Sequence, residues 1–93
     1  MNIKRIRIAR IKIDRIDKKI LYLIKKRTQI VKYMLSLKKF KREIVDHKRN
    51  NAILKKIRNR SIKNGVDPQI TKRIWKAMIL SYVDFQRKNF KKK

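Results

Sequence analysis

The sequence contains no cysteine, and only one glycine, one proline and one histidine in 93 residues. Without cysteine there is neither a disulfide nor thiolate chemistry. The single histidine, His47, argues against a zinc or iron site, since such sites draw on several His, Cys or carboxylate ligands. Acidic residues are also scarce. Six Asp+Glu stand against 31 Lys+Arg, a net charge of +25. So large a sum repels itself in the compact state and attracts anions, whether nucleic acid, an acidic membrane or a small polyanion. Lysine, isoleucine and asparagine abound, the residues that AT-rich codons favour, so raw charge alone is weak evidence of function. No apolar run reaches membrane-spanning length. The basic N-terminus lacks the continuous apolar stretch of a signal peptide. A cytoplasmic protein without a membrane partner is expected.

What the chain does contain is helical periodicity, without internal repeats or linkers, and a single domain over 1–93 is expected. The clear punctuation is NGVDP at 64–68, where Gly65 can end one helix in the left-handed conformation. Asp67 can cap the next, with Pro68 at its first position. A weaker break covers KFKREIVD at 39–46, with Asp46 as a candidate N-cap. The spacing therefore predicts three helices, one long and two shorter, at about 5–40, 46–63 and 68–90. The opening IKRIRIARIKI partly alternates like a strand, but the helical period takes over downstream. At 1.5 Å per residue the first helix would extend about 50 Å. Two shorter helices cannot cover such a rod, so an all-α, intertwined helical dimer is expected.

Charges then fall in unexpected places. At about 100° per residue, Ile13, Ile16, Ile20, Ile24, Val31 and Met34 share one face, and Arg27 and Lys38 lie in the same arc with Arg10 at its edge. A buried cation needs an anionic partner. One such residue is explained by a long stem covering apolar surface while its head reaches water. Three on one stripe are harder to explain that way, and carboxylates to pair with them are few. The last helix repeats the pattern. Trp75, Ile79, Tyr82 and Phe90 form a stripe with Gln86 in its middle. A buried amide must find hydrogen bonds, which a neighbouring helix could supply. Tyr82, one turn before it, reads equally as a core aromatic with its hydroxyl at the rim. If these groups converge, the cavity holds cations, an amide and a phenol but no evident nucleophile or base. Such a pocket suits a small dianion, handled by positioning and charge stabilisation.

The segments IDRIDKKILYLIKKR (13–27), Lys38, DHKR (46–49), NGVDP (64–68) and Gln86 together resemble the all-helical chorismate mutases over nearly the whole chain. The resemblance implies an intertwined homodimer with two sites and a cofactor-free, metal-free Claisen rearrangement of chorismate to prephenate. It implies that Arg10 reaches the partner's site and that Arg27 grips a substrate carboxylate within its own subunit. Lys38 and Gln86 match the pair that hydrogen-bonds the ether oxygen, which gains negative charge as its bond to the ring breaks. Arg49 matches a second-helix arginine of the site, and Asp46 an aspartate near the substrate hydroxyl.

Two positions depart from that family's pattern. Asn50 stands where a glutamate normally accepts a bond from the ring hydroxyl, and Tyr82 stands where a serine lies near the ring carboxylate. Isochorismate-pyruvate lyases, which share the fold, lack that glutamate and can carry the tyrosine, so elimination of pyruvate from isochorismate to give salicylate is the alternative chemistry. The loop between Lys38 and Arg49 is one residue short of the mutase pattern. A basic helical nucleic-acid-binding protein is a further alternative, supported by the charge and the arm MNIKRIRIARIKI. Against it, the basic residues spread over all three helices, and nothing beside Gly65 reads as a recognition helix. Specific nucleic-acid binding is therefore not expected.

Overall fold

The computed structural model describes residues 2–91, which form three α-helices: α1 (Ile3–Leu37), α2 (His47–Lys63) and α3 (Pro68–Asn89). A 3₁₀ turn at Lys41–Glu43 separates α1 from α2, and there is no strand among the described residues. The all-α class read from the sequence holds, and the strand-like alternation of the first residues is overridden by helix. Backbone contacts divide the chain into two compact units, Met1–Tyr33 and Met34–Lys93.

The first unit is helix alone. It starts earlier than the periodicity predicted, at Ile3 instead of about residue 5, because Asn2 caps it. The Asn2 side-chain oxygen accepts the Arg5 N–H at 3.0 Å, and its carbonyl accepts the Ile6 N–H at 3.1 Å. Such a cap contributes about 1 kcal/mol. Further along, Lys26 Nζ lies 5.0 Å from the centre of the Tyr22 ring, one turn back. Not one described residue in this unit is buried. The isoleucine face is open, with Ile13 and Ile16 each 55% exposed, Ile20 47% and Ile24 39%.

The second unit holds the chain's core. Its α1 residues end at Leu37, three residues before the expected 40. The Lys38 N–H turns to the Leu35 carbonyl at 3.1 Å, a tighter i→i−3 bond, and the helix does not resume. Asp46 caps α2, its Oδ1 accepting the Arg49 N–H at 2.9 Å. At the other end of α2 the chain reverses in a Schellman motif. The Val66 N–H bonds the Ser61 carbonyl at 2.8 Å and the Gly65 N–H bonds the Ile62 carbonyl at 3.2 Å. Gly65 sits at φ +70°, the left-handed region where a side chain would be strained. Asp67 Oδ1 then accepts the Gln69 N–H at 2.9 Å, with Pro68 opening α3.

Helices α2 and α3 pack on each other, and each carries half-buried residues at helical spacing, Ile53, Leu54 and Ile57 on α2 and Trp75, Met78, Ile79 and Val83 on α3. Ser61, buried, sits in this interface. Its hydroxyl donates to the Ile57 carbonyl at 2.6 Å and lies 2.7 Å from the Thr71 hydroxyl. With the Ser61 proton committed to Ile57, Thr71 is the donor between the two hydroxyls. Among the described residues the buried apolar ones are few, Leu35 at 9% exposure and Ile44 at 5%. Both flank the connection between α1 and α2.

Candidate active site

The residue that follows α1 and the C-terminal half of α3 supply the central pair. Lys38, half-buried just past the end of α1, donates from Nζ to Gln86 Oε1 at 2.6 Å. Gln86 is buried on the inward stripe of α3. Its amide nitrogen donates to the Tyr82 carbonyl one turn earlier, at 3.2 Å. The amide in the apolar stripe is thus satisfied at both ends, and no buried side-chain polar atom among the described residues lacks a partner. A charge-assisted bond of this kind is about twice as strong as a neutral one. It also fixes a flexible lysine head that would otherwise sample many rotamers.

A second group gathers at the start of α2. Asp46, exposed, is engaged as the N-cap through Oδ1. Arg49 is exposed three residues on, and Asn50 is half-buried, its N–H bonded to the Asp46 carbonyl at 2.9 Å. The short cap brings Asp46, Arg49 and Asn50 to one helix end. Tyr82 is half-buried on α3. In the first unit, Arg27 is half-buried and Arg10 is exposed on α1.

One residue of the connection escaped the sequence reading. Glu43 accepts the Lys39 N–H at 2.7 Å and the Phe40 N–H at 2.8 Å, both on Oε2. The bond from Phe40 does most to hold its carboxyl below the usual glutamate range, with that from Lys39 and the charges of Arg42 and Lys38 adding to it against a desolvation cost. Arg42 itself stacks 4.4 Å over the Phe40 ring. The usual signal for such a carboxylate is Ser or Thr three residues before Glu, and here that place is taken by Phe40, which conceals it.

Chemically, the second unit offers an ammonium and an amide held together, a half-buried phenol and a carboxylate-capped helix start. No group of three His, Cys, Asp or Glu side chains stands together among the described residues. This is equipment for binding an anion and stabilising charge that develops on it. An all-helical chain so equipped falls within a class of enzymes that catalyse by electrostatics. The sequence pattern of chorismate mutase type II matches residues 9–87, and the chain belongs to that family, whose reaction is the isomerisation of chorismate to prephenate. That span contains every candidate site residue, from Arg10 to Gln86. No significant match was found among curated proteins or among solved structures.

Proposed function

We propose that the chain acts as a homodimeric chorismate mutase over 1–93, as one functional domain, in the cytoplasm and in the service of aromatic amino acid biosynthesis. The observation that carries the assignment of the site is the 2.6 Å bond from Lys38 Nζ to Gln86 Oε1. These are the two residues that match the family's ether-oxygen donors. Lys38 has three N–H donors and spends one on Gln86; the Gln86 amide has two and spends one on the Tyr82 carbonyl. Each therefore retains a donor for an oxygen that becomes negative as the carbon–oxygen bond breaks. That interaction is stronger in the transition state than in the ground state, which is what lowers a barrier.

The rest of the site follows the same logic. Chorismate is a dianion. Arg27 would hold one carboxylate from within the subunit, Arg49 would contribute from α2, and Arg10 would cross to the partner. Asp46 would take the ring hydroxyl on the carboxylate oxygen not used in the cap, assisted by Asn50, with Tyr82 near the ring carboxylate. No group in this set needs to gain or lose a proton, and a unimolecular rearrangement of chorismate calls for no cofactor. The homodimer is supported by the first unit, whose isoleucine face has no buried residue of its own. No helix among the described residues is long and apolar enough to cross a membrane.

The deciding experiment incubates the purified protein separately with chorismate and with isochorismate and identifies the products by chromatography. Prephenate from chorismate is the expected result. Salicylate and pyruvate from isochorismate, with little prephenate, would instead assign Asn50 and Tyr82 to a lyase. Turnover of neither, together with duplex binding that survives moderate salt, would favour nucleic acid.

A further inference from the structure

We propose that Glu43 is a positioning residue for Lys38: by gathering the N–H groups of Lys39 and Phe40 onto one oxygen, it fixes the turn from which the lysine reaches Gln86. The inference rests on the reading of Lys38 as a catalytic donor and extends it to a residue that touches no substrate.

The end of α1 needs such a device. The chain's glycine and proline lie at 65 and 68, so neither can stop this helix. The Lys38 N–H still finds a carbonyl, that of Leu35 at 3.1 Å, but the next two amides have left the helix. Glu43 Oε2 takes both, at 2.7 and 2.8 Å. The Glu43 N–H in turn bonds the Phe40 carbonyl at 3.0 Å, and the Ile44 N–H bonds that of Lys41 at 3.2 Å. The segment thus closes on itself, side chain to backbone one way and backbone to backbone the other.

The location matters as much as the bonds. Between the buried anchors Leu35 and Ile44, Lys38 is the one residue that is not exposed. Packing therefore holds the two ends of the span and does little for its middle. The first clamped amide, that of Lys39, belongs to the peptide that leaves Lys38. Rotation of that peptide would swing the Lys38 Cα–Cβ direction, and a four-bond stem would amplify the swing at Nζ.

The choice of an acid also has a cost that the arrangement accepts. A carboxylate close enough to Lys38 and Arg42 to feel both charges opposes the approach of a dianion. Removing it should loosen the lysine and at the same time favour substrate binding. The kinetic parameters should therefore separate, with kcat falling while KM stays level or falls. Lost packing alone would lower the melting temperature without changing turnover by the folded fraction.

The test measures kcat and KM on chorismate for wild type, Glu43→Ala, Glu43→Gln and Lys38→Ala, with circular dichroism melts of each. Expected for Glu43→Ala is a fall in kcat of about tenfold or more, with KM unchanged or lower and the protein folded at the assay temperature. Glu43→Gln, a neutral and weaker acceptor, should fall between. Unchanged kcat in a folded Glu43→Ala protein overturns the proposal, as does a lowered KM with kcat intact, which would make Glu43 only a repelling charge. If the alanine variant does not fold, the glutamine variant decides, and wild-type kcat there overturns it. Lys38→Ala separates the two levels of argument. If it turns over normally, the catalytic reading of Lys38 fails; if it is inactive while Glu43→Ala is normal, only the positioning role fails.

Discussion

The ammonium of Lys38 and the amide oxygen of Gln86 stand 2.6 Å apart across 48 residues of chain. The bond gives the lysine one direction, and the buried amide gets the partner that its place in an apolar stripe demands. Gln86 takes the place of a core hydrophobe on α3, and Lys38, half-buried, is not free to wander as a surface residue is.

Lys38→Ala should therefore reduce kcat by about 10²–10³ while leaving the far-ultraviolet dichroism helical. Gln86→Ala should act in the same direction, since it removes a donor and also releases Lys38. Near-normal turnover in either folded variant would break the assignment of the ether-oxygen donors.

The two arginines of α1 lend themselves to complementation. Arg10→Ala and Arg27→Ala homodimers should each be nearly inactive. Mixed and refolded together, they should regain part of the wild-type activity, because one of the two sites in a heterodimer carries both arginines. Activity of the mixture no greater than the sum of its parts would argue against a site shared between subunits.

The α2–α3 interface can be probed apart from the chemistry. Ser61→Ala would leave the Thr71 hydroxyl with only the Pro68 carbonyl, at 3.4 Å. Exchanging a 2.7 Å bond for that long one in a partly buried site costs about 1 kcal/mol, which lowers the melting temperature by about 5 °C. Adding Thr71→Val to that variant should recover part of the loss, and kcat should stay level throughout. A single-variant melt indistinguishable from wild type would show that the Ser61–Thr71 bond contributes nothing to stability.

Glu43 makes a prediction about acid. Its carboxyl is held below the usual glutamate range by the Phe40 and Lys39 amides and by the charges of Arg42 and Lys38. A group with a lowered folded pKa stabilises fully above its unfolded value and loses that contribution as pH falls through the folded value. The difference in melting temperature between wild type and Glu43→Gln should thus be largest near neutrality and shrink on acidification, below the usual glutamate range. A difference that does not change with pH would mean that charge has no part in the clamp.

How much of this was legible beforehand depended on the range of the chemistry. Asp46, Gly65, Asp67 and Pro68 act on amides within a few residues, and each performs the role that its position suggested. The end of α1 was misplaced because the stop signal, Glu43, lies downstream and works through backbone groups that no side-chain pattern marks. The Ser61–Thr71 bond was also hidden, since two hydroxyls ten residues apart meet only after the turn has folded them together. Periodicity put Arg27 at the angle of the isoleucine stripe within α1, but it carried the stripe on to Lys38, which lies beyond the helix end at Leu37. It could not say which stripe residues find cover, and Ile13 to Ile24 remain open in the chain.

That open face has a consequence for how the protein behaves in quantity. A helical segment with no buried residue, as α1 is up to Tyr33, gains little from forming in isolation, so in the proposed homodimer its order and its association become one reaction governed by mass action. The melting temperature should climb with protein concentration, and a diluted sample should lose specific activity as chains part. In a cell, the number of copies made would then set the activity of each one.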